Sequence, residues 1–140
     1  MSSLQQYTLA IGLSLLAELS SADVVVIMSV KSPVALLDKG QVSDIFLGKS
    51  ATFPDGAMAV PLDQDSSSGP HSEFHDKVTG KSGSQLKAYW SKLVFTGKAS
   101  PPKEVPDSRE IRSLIATNPN MIGYIEKGAV DTSVKVVFSP

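Results

Sequence analysis

The sequence predicts a single α/β domain with a mixed, mostly parallel sheet and helices on both faces. Three observations predict it. The 140 residues suit one hydrophobic core rather than two. The run "DVVVIMSV", 23 to 30, is apolar at consecutive positions and rich in β-branched residues, as in a strand covered on both sides within a parallel sheet. Beyond it, strand-like and helix-like segments alternate, the pattern of an α/β sandwich.

The elements follow in order. "SP" at 32 and 33 breaks the first strand, and Asp38 with Gln41 three residues later forms a capping box. The helix it opens carries Val42, Ile45 and Phe46 on one face and closes at Gly48. "FPDG", 53 to 56, has turn chemistry, and "AMAVPL" after it reads as a second strand with Pro61 near its end. A helix is expected from about Pro70 to Thr79, capped by Ser68 or Gly69, with proline in the first turn where its missing N–H is harmless. The clearest helical periodicity is in "KSGSQLKAYWSKLVFTG". There Leu86, Tyr89, Trp90, Leu93 and Val94 share a stripe, so Tyr89 and Trp90 are read as core. "KASPPKEVP" is expected to be a stiff connector, and Asp107 with Glu110 opens a further helix presenting Ile111, Leu114 and Ile115. Asn118-Pro119-Asn120 ends that helix, and "MIGYI" and "VKVVF" read as closing strands, the latter with Val134, Val136 and Phe138 on one face.

Composition narrows the function. A formal net charge of -1 provides no global field to attract nucleic acid or an acidic membrane, so any bound anion must be held by local geometry. With no cysteine there is neither a disulfide framework nor a thiolate metal site. At the N-terminus, an apolar stretch from Tyr7 to Ala17 precedes Ser20, Ser21 and Ala22, a small-residue cleavage pattern, although no basic residue comes before Lys31. Residues 1–22 are therefore expected to be a signal peptide, with the domain occupying 23–140 and the mature protein periplasmic or secreted. An ordinary N-terminal helix is the competing reading, because Leu9, Leu13 and Leu16 fall near helical spacing.

The stretch "DQDSSSGPHSEF", 63 to 74, places three serines and a glycine where a helix begins. The first amides of a helix have no intrahelical partner and carry the positive end of its dipole, so they can hold an anion without a cationic side chain. Serine hydroxyls add donors, and glycine permits close approach to the main chain. Ser66, Ser67, Ser68 and Gly69 are thus candidate ligand contacts; the plainer reading is that such residues simply make good caps and loops. His71 and His75 are one helical turn apart, a spacing that a zinc site can use. Phe74 and Val78 share their stripe, no HExxH motif is present, and the acidic residues nearest in sequence are Glu73 and Asp76. A half-buried histidine pair is therefore expected, with no metal and no cofactor. Without a GxSxG elbow or an assembled triad, no enzyme is expected either.

Several segments resemble a known family. "QVSDIFLGK" (41 to 49), "TFPDG" (52 to 56), "VPLDQ" (60 to 64), "LKAYWSKLVFTGK" (86 to 98) and "NPNMIGYI" (118 to 125) are similar to short, single-lobe relatives of the periplasmic phosphate-binding protein, the phosphate ABC transporter substrate-binding proteins. The resemblance runs from about Val24 to Val137 and implies a periplasmic-binding-protein-like (type II) single lobe. Full-length members clamp phosphate between two lobes, and this chain resembles mainly the second. Their phosphate loop has an Arg-x-x-x-Ser-Gly-Thr pattern, in which Ser68 and Gly69 match Ser-Gly, Gln64 stands at the arginine position and Pro70 at the threonine position. The implied function is an exported, non-catalytic receptor for phosphate or a similar oxyanion. In it Ser66 to Gly69 donate hydrogen bonds, Gln64 orients the ligand, and Asp63 or Asp65 accepts the proton of a protonated oxyanion. Ser32, with Ser29, is expected to approach the same crevice from the end of the first strand. An ABC permease or envelope protein, or weak pairing of two chains, would be the partner. The alternative is an envelope interaction module that keeps the fold and binds no ligand.

Overall fold

The computed structural model describes residues 23–140; the expected signal peptide, 1–22, lies outside them. Five strands form one sheet: β1 (Val24–Ser29), β2 (Val60–Gln64), β3 (Lys103–Val105), β4 (Met121–Glu126) and β5 (Val134–Phe138), in the order β3-β2-β4-β1-β5. β2 pairs in parallel with β3 and β4, whereas β1 pairs antiparallel with β4 and β5. Four strands therefore share a direction and β1 alone opposes them. The apolar run at 24–29 is buried along its whole length, as its composition predicts. Burial on both faces nevertheless did not make its pairing parallel, because a both-sided apolar strand fits any interior position of a covered sheet.

The period-two alternation of β1 divides the core. Val24, Val26 and Met28 point to a cluster containing Val42, Ile45, Phe46, Phe74, Val78 and Tyr124. Val25 and Ile27 join Leu62, Ile111 and Ile115 on the other face. Helices α1 (Lys39–Phe46) and α2 (Gly69–Phe74) cover the first face, and α4 (Ser108–Ala116) covers the second. The capping box of α1 is present in both directions, Gln41 N donating to Asp38 Oδ1 at 2.8 Å and Asp38 N to Gln41 Oε1 at 2.9 Å. Asp107 caps α4 by accepting from Glu110 N at 3.0 Å. On β4, a Cβ at Gly123 would lie 2.9 Å from Ile111 Cγ2 and 3.0 Å from Ile115 Cδ1, so α4 packs directly onto bare backbone.

Four sequence expectations change. β5 pairs Val26 with Phe138 but Ile27 with Val136, leaving Val137 as an extra residue in a bulge. The alternation reverses there, so Val134 and Val137 are buried, while Val136 is 36% exposed. The connector "KASPPKEVP" contains the three-residue edge strand β3, paired with Leu62–Gln64. The second strand begins at Val60 and continues through Gln64, so Pro61 stands near its start. Finally, α3 (Gly83–Phe95) lies at the periphery: Leu86 is its only buried residue, Tyr89 and Trp90 are half-buried, and Phe95 is 91% exposed. Tyr89 donates its hydroxyl to Leu47 O at 2.6 Å, and a Cβ at Gly48 would lie 3.1 Å from the Trp90 ring, so the two aromatics clamp the end of α1. No helix among the described residues is long and apolar enough to cross a membrane.

Candidate functional site

The end of β2 delivers Asp63 and Gln64 to the mouth of the 65–69 loop, and the loop turns the chain back so that α2 lies over the same strand end. Ser68 is the N-cap of α2, accepting from His71 N at 3.1 Å. Its own hydroxyl proton goes to Gln64 Oε1 at 3.2 Å. Gln64 is 1% exposed, and its Nε2 donates to Ser108 Oγ at 3.1 Å and to Tyr124 O at 3.0 Å. Gln64 therefore ties β2 to β4 and α4, with every polar atom of its amide group engaged. Asp65 closes the loop from the other side: its Oδ1 accepts from Ser67 N at 2.9 Å and from Ser67 Oγ at 2.7 Å. These bonds hold the Asp65 carboxyl below its usual range, the Ser67 backbone bond contributing most. Pro70 has no amide proton. Among the described donors of this loop, the Ser66 amide and hydroxyl and the Gly69 amide are left without a protein partner. Gly69 is exposed, and a Cβ there would meet nothing within 4 Å.

Ser29 and Ser32 do not approach this mouth. Because β1 opposes its neighbours, Val24 lies level with Glu126 while the far end of β1 reaches the start of β2 and β4. Ser29 Oγ instead donates to Ala116 O at 3.2 Å, and Ser32 Oγ accepts from Val34 N at 3.1 Å. The two hydroxyls thus serve the C-terminus of α4 and the loop after β1, at the opposite end of the strands. The sequence expectation assumed a parallel first strand, and the antiparallel pairing removes its basis.

Asp63 is 7% exposed and anchors a polar network beneath the loop. Its Oδ1 accepts a short hydrogen bond from the Tyr124 hydroxyl and another from Gln64 N at 3.0 Å, while Oδ2 lies 3.0 Å from His75 Nε2. Burial pushes the Asp63 carboxyl up, but the His75 contact, the Tyr124 hydrogen bond and His71 together hold it below its usual range. Tyr124 is pushed far above a normal phenol, by burial first and then by Asp63, so it stays a neutral donor. His71 Nε2 stands 3.9 Å from Asp63 Oδ1, and the His71 and His75 rings have centroids 4.5 Å apart. Burial lowers the pKa of His71, with Asp63 opposing the shift. Both histidines are buried rather than half-buried. The acidic residue facing them is Asp63, which sequence proximity to Glu73 and Asp76 did not suggest. The only sequence signal for it was its place at the end of a strand that leads straight into the histidine-bearing helix.

Asp63, Ser66, His71 and Glu104 line one wall of a cleft of ≈ 710 Å³. Burial, followed by the charges of Asp63 and Asp65, raises the Glu104 pKa above its usual range. The rest of the lining is largely apolar, with Leu86, Trp90, Val94, Phe95 and Pro101 beside Lys87 and Ser91.

No family model and no curated protein matches the chain. Among solved structures, it is similar to a phosphate ABC transporter substrate-binding protein with bound phosphate from Clostridium perfringens, at 26% identity and TM-score 0.67, covering 82% of this chain and 44% of that one. It is also similar to an ABC-type phosphate transport receptor from Vibrio cholerae, at 19% identity and TM-score 0.65, over 82% of this chain and 45% of that one. PstS from Borrelia burgdorferi matches at 16% identity and TM-score 0.62, over 83% and 46%. The resemblance read from the sequence is thus present in the fold, and the chain spans less than half the length of the structures it matches.

Proposed function

We propose that the protein is an exported, non-catalytic receptor lobe that takes phosphate or a similar oxyanion at the mouth formed by Ser66 to Gly69. The observation that carries this reading is the likeness, at 26% identity, to a substrate-binding protein holding phosphate. The local geometry supports it at Gly69, an exposed residue at the head of α2 whose amide has no protein partner. The rest of the loop limits affinity. Gln64 brings no charge, Pro70 no donor, and Asp65 already occupies both donors of Ser67. A dissociation constant of about 1 µM or weaker is expected. A second copy or a further lobe would supply the facing half of the site, and an ABC permease would be the downstream partner.

Isothermal titration with inorganic phosphate tests the site. Gly69→Val should abolish the heat without unfolding the protein, since the added side chain has room but blocks the amide. Asp65→Ala should tighten binding about tenfold by removing a like charge and releasing the Ser67 donors. Absence of heat from the unaltered protein at millimolar phosphate would discard the reading. Export has its own test: protein recovered from its native cells should begin at Asp23 or within a residue or two, and intact Met1 in the cytosolic fraction would refute it.

A second reading, an envelope interaction module that binds no ligand, is favoured by the largely apolar part of the cleft lining. Phe95 is 91% exposed and Val94 53%, beside Trp90 and Pro101. A null phosphate titration with an intact fold would select it.

A further inference from the structure

We propose that Asp63, His71 and His75 form a binding site for a divalent transition-metal ion of the zinc class. One ligand atom from each of the three lies within 4.8 Å of the other two, and all three residues are buried. The set of two imidazoles and one carboxylate is that of a borderline-soft ion such as Zn²⁺ or Co²⁺, not of Ca²⁺ or Mg²⁺, which prefer all-oxygen sites. Metal–ligand bonds of about 2.0–2.1 Å in a tetrahedral arrangement put neighbouring ligand atoms about 3.3 Å apart. His75 Nε2 and Asp63 Oδ2, at 3.0 Å, already meet that spacing. His71, at 3.9 Å from the carboxylate and with no hydrogen bond holding its ring among the described residues, is the ligand that closes in.

Two of the three ligands are oriented from behind, as metal ligands usually are. Asp63 Oδ1 is held by Tyr124 and Gln64 N, which orients the carboxylate with Oδ2 toward His75. His75 Nδ1 lies 2.9 Å from Thr79 Oγ1, and that hydroxyl lies 3.2 Å from His75 O, where it donates. Thr79 therefore holds the His75 ring through Nδ1 and leaves Nε2 facing the Asp63 carboxylate. A helix with regular hydrogen bonding ends at Phe74 and widens to a π turn over His75–Thr79, which is the segment that carries the Thr79 bond back to His75. The cleft reaches Asp63 and His71, so an ion has an entry path and an outward position for water or another ligand.

This inference is independent of the oxyanion reading and is tested on the full chain after chelator treatment. Zinc titration by calorimetry should give one ion per chain with a dissociation constant of about 1 µM or tighter. Co²⁺ should develop the strong visible absorption of a four- or five-coordinate nitrogen–oxygen site. His71→Ala should weaken zinc binding by about 100-fold or more, while its melting curve without metal stays near that of the unaltered protein, because the Asp63–His75 contact persists. Thr79→Val should weaken binding about 10- to 100-fold through His75 orientation alone. No saturable binding at 100 µM zinc, on the order expected for an adventitious site, would overturn the proposal, as would binding that is unchanged by His71→Ala. In either case the histidines would serve only as an ion-pair partner and packing neighbour of Asp63.

Discussion

Asp63→Ala is expected to destabilise the metal-free protein by about 3–5 kcal/mol, a large share of the stability of a domain this size. The carboxylate is the common acceptor for the Tyr124 hydroxyl, the Gln64 amide and the His75 ring, and all three are buried. Removing it strands these donors in an interior that water does not reach, at about 1–3 kcal/mol for each group left unsatisfied. Asp63→Asn keeps an acceptor for Tyr124 and Gln64 and should cost about half as much, because only the charged contact with His75 is lost. Urea denaturation in chelator-treated buffer measures both variants. If Asp63→Ala unfolds within about 1 kcal/mol of the unaltered protein, Asp63 is not the centre of this network.

Phe74→Ala is the second large effect. Phe74 is fully buried, stacks on Tyr124 with centroids 4.1 Å apart and planes 3° from parallel, and meets Phe46 at 4.7 Å and 58°. Truncation loses the transfer free energy of the ring, its aromatic contacts and the packing around the cavity left behind, together about 3–5 kcal/mol. The melting temperature should fall by roughly 10 °C or more. Phe95→Ala provides the contrast: at 91% exposure it should shift stability by less than about 0.5 kcal/mol, although both residues are phenylalanines on helices. Equal shifts in the two variants would mean that the aromatic layer between the sheet and α2 is not part of the stabilising core.

Phe74 also links stability to the site. It stacks on the tyrosine that holds Asp63, and it precedes His75, so the aromatic layer and the polar network share a wall. The ring that stabilises the fold therefore also fixes the height at which α2 and the π turn after it present His71 and His75 to β2.

Much of the architecture was legible along the chain because its causes are local. Asp38 with Gln41, and Asp107 ahead of Glu110, open helices through bonds between residues three apart, which a linear reading can find. The β-branched run at 24–29 and the cap at Ser68 are local in the same sense. The serine-glycine loop was located correctly, but the state of its donors was not readable. Asp65, Ser67 and Ser68 are all loop residues on paper, and only the turn geometry brings the Asp65 carboxylate onto the Ser67 donors.

What the sequence by itself determined is the helices and four of the five strands, the caps at Asp38, Ser68 and Asp107, and the spacing of the histidine pair, all consequences of local patterns. Tertiary structure alone decided the direction of β1, and with it the removal of Ser29 and Ser32 from the mouth. It likewise decided the bulge at Val137, the exposed position of α3, and the meeting of Asp63 with His71 and His75 across 8 and 12 residues. Those outcomes depend on which backbone edges pair and how the chain folds back, free energies shared among distant residues that no local pattern encodes.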